Sequence, residues 1–189
     1  KSISVVYCGD GSVEEGVFYE SINFAATKKI PVVFVCENNS YSVYSPLSVR
    51  QPEGRKIHEM VKGMGVDSAY EDGNDIRKVY RLTKRAISKI YETGNPFFME
   101  LQTYRWREHC GPNYDNNIGY RSEEEFLEWK KRDPIKLFEK KLLKEKICTK
   151  GEITRINKEV LGQIKEAFDF AKSSPFPDPS EAFESMFAL

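Results

Sequence analysis

The first 36 residues constrain the fold more than any other part of the chain. Ile3, Val5, Val6 and Tyr7 form a short β-branched-rich run, Gly9-Asp10-Gly11 follows, and Pro31 to Cys36 is apolar without interruption. Unbroken apolar runs of this length suit strands of a parallel sheet covered on both faces. Between them, Glu14 to Lys28 carries Val17, Phe18, Ser21, Ile22, Ala25 and Ala26 at helical spacing and closes on Lys28, Lys29 and Pro31. Strand, glycine turn, helix and strand make a βαβ unit.

The same alternation continues. The pattern predicts a helix over 53–62, a short strand over Val66 to Tyr70 and a helix from Asp75 to about Tyr91 capped by Asn74. A further strand, Phe97 to Thr103, follows Gly94-Asn95-Pro96. Arg105 to Tyr120 has no hydrophobic period and holds two glycines, one proline and three asparagines, so it reads as a long loop, a length usually tied to a site. Three helices are then expected over about 122–132, 134–147 and 151–172. Ser122-Glu123-Glu124-Glu125 forms a capping-box pattern and Pro134 opens the second helix. Apolar positions from Ile153 to Phe170 suit a core or a subunit interface. The Lys-rich stretch 130–146 reads as a solvated helix face.

Lys plus Arg equals Asp plus Glu at 29 each, so no global charge attracts nucleic acid or an anionic membrane. No apolar run reaches the roughly 20 residues of a transmembrane helix. Cys8, Cys36, Cys110 and Cys148 are scattered without a CxxC pair, which points to free thiols in a reducing cytoplasm. Lys1 runs directly into the first strand, so the chain reads as a piece of something longer.

Gly9-Asp10-Gly11 stands where a parallel strand ends and a helix begins, the edge at which open α/β sheets bind ligands. Glycines there let the backbone approach a phosphate. Asp10 would repel a bare phosphate, so the turn suits a cation bridging the two. Asn38-Asn39 ends the next expected strand and would lie beside it. A carboxylate, an amide oxygen and a main-chain carbonyl are hard oxygen donors of the kind Mg²⁺ takes. Read separately, each segment is simply a tight or polar turn. Neither GxGxxG nor a P-loop is present.

Gly9-Asp10-Gly11, 26 intervening residues and Asn38-Asn39 resemble the motif of thiamine-diphosphate enzymes. The wider segment 9–43 resembles the α subunit of 2-oxo acid dehydrogenase E1 components. That resemblance implies a three-layer α/β/α parallel sheet, incomplete at its N-terminal side, over residues 1–121, with a helical extension over 122–189. It implies thiamine diphosphate and Mg²⁺ as cofactors, with Asp10, Asn39 and the backbone of Tyr41 on the metal and Gly9, Gly11 and Ser12 along the diphosphate.

Thr103-Tyr104-Arg105 followed by His109 resembles a further segment of the family, in which the arginine and histidine reach the diphosphate and the histidine borders the acyl-transfer channel. His109 is thereby the candidate catalytic residue, whereas His58 is given an ordinary surface or packing role. Gly119-Tyr120-Arg121-Ser122, Asp133-Pro134-Ile135 and 174–179 extend the resemblance over essentially the whole chain. Two departures stand out. Cys110 occupies a position where many relatives have serine, which removes a phosphorylatable hydroxyl. Arg107 and Glu108 stand where relatives often carry glycine or a second histidine.

The implied function is oxidative decarboxylation of a 2-oxo acid with acyl transfer to a lipoyl group. The implied partners are an E1β-type subunit supplying the activating glutamate in an α2β2 assembly and a lipoyl-bearing E2 acyltransferase. Two alternatives are another thiamine-diphosphate decarboxylase or acyl-transfer enzyme, and a truncated non-catalytic assembly subunit. The chain alone is expected to be inactive, and a sheet cut short on the amino side would expose an apolar strand edge.

Overall fold

The computed structural model describes residues 2–184. The sequence from Glu181 to Leu189 reads as a short, partly apolar tail, of which residues 185–189 lie outside that range. The described chain divides into two compact units, one up to Phe138 and one from Glu139 onward.

The first unit is built on a parallel sheet. Strands β1 (Ser4–Gly9), β2 (Val32–Asn38), β5 (Asp67–Asp72) and β6 (Phe97–Gln102) lie in the order β1-β2-β6-β5. Helix α1 (Gly16–Lys28) joins β1 to β2, α3 (Ile57–Gly63) precedes β5, and α4 (Ile76–Thr93) joins β5 to β6. Period-two alternation sends successive residues of β2 to opposite faces. Val32, Phe34 and Cys36 pack with Phe18 and Ile22 of α1 and Ile57 and Val61 of α3; Val33 and Val35 pack with Leu82, Ala86 and Ile90 of α4. Helices therefore cover both faces, and the three-layer α/β/α arrangement expected from the sequence is observed.

The registers bring one edge into line. Gly9 is level with Glu37, Asn38 with Gln102 and Asp72 with Gln102, so the C-terminal ends of all four strands form a single rim. Loops leaving this rim carry the candidate site.

Several boundaries shift from the sequence expectation for identifiable reasons. A 3-10 turn, Asp10–Glu14, intervenes between β1 and α1, so the α-helix begins only at Gly16 and Val17 is left 65% exposed. The helix expected over 53–62 begins at Ile57, because Pro52 and a positive-φ Gly54 hold the preceding segment in a turn. A two-residue hairpin, β3 (Tyr41–Ser42) with β4 (Ser45–Pro46), and one helical turn, α2 (Leu47–Arg50), fill the interval after Asn39. The cap of α4 is Asp75, whose carboxylate accepts from the amides of Arg77 and Lys78. Asn74 is instead buried, donating from Nδ2 to the Arg132 carbonyl at 3.0 Å and accepting from the Thr103 hydroxyl at 2.9 Å.

Residues 103–122 contain no regular element, as the loop reading required. Helix α5 (Glu123–Lys130) follows, capped by Ser122, and α6 starts at Pro134 (Pro134–Lys144). In the second unit α7 (Lys150–Ser173) opens on a full capping box between Thr149 and Glu152. Its apolar residues Ile156, Val160, Leu161, Ile164 and Phe168 are exposed. No helix among the described residues is long and apolar enough to cross a membrane.

Strand β1 is an edge strand, and its apolar side chains are open: Tyr7 is 68% exposed and Val5 52%. Val5 and Tyr7 line a cavity of about 300 Å³ with Val33, Val35, Ile76 and Leu101. Among the described residues no strand pairs with the outer side of β1.

Candidate functional site

Two turns meet at the rim between β1 and β2. Asp10, the first residue after β1, is 1% exposed although it carries an ionisable carboxyl. Its Oδ1 accepts the main-chain N–H of Asn39 at 3.2 Å, which ties the glycine turn directly to the asparagine pair. Asn38 and Asn39 each close a short turn on themselves: Asn38 Oδ1 accepts from Ser40 N and Asn39 Oδ1 from Tyr41 N, both at 3.0 Å. Such side-chain turns stiffen a reversal that has no regular hydrogen-bond ladder. Gly11 is a required glycine, because a Cβ there would lie 2.5 Å from Ser42 Oγ and 2.8 Å from Ser42 Cβ. The hairpin thus folds back onto the glycine turn.

Around this contact lies a shell of charge. Arg50, at the end of α2, donates to Asp10 Oδ2, to Glu14 Oε1 and to the Ser45 carbonyl. On the other side Glu100, buried in β6, accepts from Asn38 Nδ2 at 2.8 Å and from the backbone N–H of His58 at 3.0 Å. An ionisable residue inside an apolar strand is tolerated because each oxygen has a donor.

The loop after β6 contributes the second group. Arg105 reaches the hairpin, donating from Nη2 to the Val43 carbonyl at 2.7 Å and to the Tyr120 hydroxyl at 3.3 Å. Tyr120 packs edge-on against Tyr41 with centroids 5.3 Å apart, so Arg105, Tyr120 and Tyr41 form one assembly. Tyr41 donates its hydroxyl to Glu125 of α5 at 2.6 Å. Glu125 is therefore turned toward the site, and of the capping box expected at Ser122 only the Ser122-to-Glu125 amide contact is made. Burial first, then the Glu125 bond, pushes the Tyr41 hydroxyl above the ordinary tyrosine range. Burial and the bond to Asp115 push Tyr120 up to about 12.

Below the loop an ion pair joins Arg121 to Asp115, both essentially inaccessible. The Arg121 guanidinium also donates to the Arg105 carbonyl and lies 5.0 Å from the centre of the Tyr104 ring, which stacks on Trp129 at 5.3 Å. This buried cation anchors both ends of the loop.

The structure thus brings Gly9, Asp10, Gly11, Ser12, Asn39 and Tyr41 to one corner of the rim, with Arg105 linked to the same hairpin. His109 is exposed in the loop and makes no hydrogen bond or ion pair with another described residue. It is the one predicted site residue that the contacts do not join to the rest.

A model of the family described as dehydrogenase E1 component matches residues 1–180. The chain belongs to the dehydrogenase E1 component family. It is similar to the pyruvate dehydrogenase E1 component subunit alpha of Rickettsia felis, 32% identical over 98% of this chain and 56% of the relative. It is 33% identical to the human mitochondrial 2-oxoisovalerate dehydrogenase subunit alpha, over 98% of this chain and 41% of the relative. The chloroplastic pyruvate dehydrogenase E1 component subunit alpha-3 of Arabidopsis thaliana is 31% identical, over 98% and 42%. The chain spans about half the length of these relatives.

Within this E1-family chain, sequence reasoning missed the residues that support the site from behind. Glu100 had a signal, an acid inside the apolar run Phe97-Phe98-Met99-Glu100-Leu101. His58 had none, since its position near a helix start says nothing of the buried carboxylate 42 residues away. Arg50 lies in a stretch without periodicity, and the fold of the hairpin brings it back to donate directly to Asp10. Asp115 was legible only as a polar loop residue, and Arg121 stood in the Gly119-Tyr120-Arg121-Ser122 segment without any sign of its partner Asp115. The four cysteines are all free, with Cys8 and Cys36 level on neighbouring strands.

Proposed function

We propose that this chain is the diphosphate- and magnesium-binding part of an E1 α-type subunit acting in oxidative decarboxylation of a 2-oxo acid. The observation that carries the reading is the hydrogen bond from Asn39 N to Asp10 Oδ1, which unites two sequence segments otherwise explicable as separate turns. The residues present suit the cofactor. A buried carboxylate, an amide oxygen and a main-chain carbonyl on adjoining turns are hard donors appropriate to Mg²⁺, and the glycine turn offers backbone without side chains.

In this reading Asp10, Asn39 and the Tyr41 carbonyl hold the metal, and Gly9, Gly11 and Ser12 line the diphosphate. Arg105 adds charge-assisted donors to the diphosphate. Bound thiamine diphosphate would supply the carbon nucleophile and electron sink for loss of CO₂. The chain's own task is to hold the diphosphate end still while the reacting ring faces a partner. His109, exposed in the loop that follows β6, is assigned to the acyl-transfer side.

The partners proposed are an E1β-type subunit that provides the activating glutamate in an α2β2 assembly, a lipoyl-bearing E2 acyltransferase and a small 2-oxo acid. Four free thiols accord with the cytoplasm as the proposed compartment.

Calorimetric titration of thiamine diphosphate into the full-length protein, with Mg²⁺ and with EDTA, tests the reading. Magnesium-dependent binding that disappears in Asp10→Ala is expected. Binding that ignores both EDTA and the substitution would sink it.

A further inference from the structure

Asp10 has two carboxylate oxygens and both are engaged. Oδ1 is committed to the backbone of Asn39 and holds the two turns together; Oδ2 is taken by Nη2 of Arg50. Oδ2 is therefore the oxygen a divalent cation would have to share with a guanidinium. Two cations at one buried oxygen repel strongly, since the surroundings screen poorly. Arg50 and the metal are thus alternative partners of Asp10.

The surroundings of Arg50 provide for such an exchange. Its side chain is 11% exposed and is held by two contacts besides Asp10: Nη1 to Glu14 Oε1, and Nε to the Ser45 carbonyl at 3.0 Å. Glu14 is steadied in turn by Gln51 Nε2 at 3.0 Å. Releasing Nη2 would leave the guanidinium anchored at two points. Nη1 also lies 3.6 Å from where a Cβ on Gly11 would stand, so the planar fork sits against the glycine turn proposed for the diphosphate. A guanidinium suits phosphate oxygens at least as well as a carboxylate.

We propose that Arg50 is an exchange residue: it neutralises buried Asp10 until a divalent cation arrives, then passes its Nη2 donor to the diphosphate that comes with the cation. This rests on the cofactor site proposed above. Its consequence is that metal without diphosphate binds poorly, because displaced Arg50 then has no new anion, whereas metal and diphosphate together bind well.

The test uses the full-length protein assembled with its partner subunit. Mn²⁺ binding alone is read from water-proton relaxation, and inorganic diphosphate binding in saturating Mg²⁺ from calorimetry. In Arg50→Met, Mn²⁺ alone is expected to bind about tenfold more tightly and diphosphate about tenfold more weakly, as removal of one nearby cation requires. Arg50→Lys keeps the charge without the fork; Mn²⁺ affinity should stay at the wild-type level while diphosphate affinity falls. The lysine variant carries the test if the methionine variant does not fold, as judged by circular dichroism. Opposite movement of the two affinities in Arg50→Met supports the exchange. Parallel weakening of both, or no change in either, overturns it while leaving the cofactor site intact. If wild-type protein binds neither Mg²⁺-diphosphate nor Mg²⁺-thiamine diphosphate, the site reading itself fails and the exchange with it.

Discussion

The imidazole Nδ1 of His58 lies 2.6 Å from Oε2 of Glu100, and Oε1 of the same carboxylate holds Asn38 Nδ2 at 2.8 Å. One buried acid thereby links helix α3 to the asparagine turn that touches Asp10. Replacing Glu100 by Gln turns one of its two accepting oxygens into an N–H₂ donor, so one donor meets another donor. Stability should fall by about 1–3 kcal/mol, the cost of disturbing a charge-assisted buried bond. Urea unfolding measures the loss. His58→Ala should cost less, because the backbone N–H of residue 58 still reaches Glu100. An equal or larger loss in His58→Ala would show that the imidazole, rather than the Asn38 contact, is the main support.

Gly11→Ala should abolish magnesium-dependent diphosphate binding while leaving the sheet folded. The added Cβ meets Ser42 Oγ and Cβ at 2.5 and 2.8 Å, so the hairpin must move off the glycine turn. Overpacking of this kind costs roughly 1–3 kcal/mol. Adding Ser42→Gly removes both clashing atoms and is expected to restore binding. Failure of that double variant to recover would mean that the backbone at residue 11, and not the hairpin contact, is the sensitive feature.

Asp115→Ala should destabilise the first unit by about 3–5 kcal/mol, because it leaves the guanidinium of Arg121 buried without its counter-charge. The loop that places Arg105 depends on the same cation through the Arg105 carbonyl. Limited proteolysis should therefore cut the 105–120 segment faster in the variant. An unchanged cleavage rate would separate loop order from the ion pair.

The tyrosines at the hairpin predict a defined alkaline response. Tyr120 is raised to about 12 and Tyr41 is raised as well, each by burial first and by a carboxylate acceptor second. The folded protein thus keeps protons that the unfolded chain releases near pH 10. Their contribution to stability is complete below about pH 10 and is lost as pH rises toward about 12. The urea midpoint should fall across that window, and Tyr120→Phe should flatten the fall. A tyrosine absorbance titration with all steps near pH 10 would contradict this.

Much of the architecture was written in local pattern. Unbroken apolar runs, helical spacing from Glu14 to Lys28 and the glycine and proline stops sufficed for parallel strands with helices on both faces. Burial of Phe18, Ile22, Phe34 and Phe98 in one cluster follows from that pattern. The residues proposed to bind cofactor were equally accessible, since each lies in a short segment whose spacing is visible in the chain. Local pattern failed where neighbouring polar residues compete, as with Asn74 and Asp75 for the cap of α4. The choice fell to Asp75 because Asn74 was drawn into contacts with Arg132 and Thr103, distant in sequence.

The amino-acid sequence by itself thus determined the layers, the four strands of the parallel sheet and the two turns, because these arise from periodicity and from the conformations glycine and asparagine permit. Only the tertiary structure decided which charges face each other. Arg50 reaches Asp10, His58 reaches Glu100 and Glu125 reaches Tyr41 across gaps of 40, 42 and 84 residues. Ion pairing depends on distance and burial in space, and no spacing along the chain encodes either.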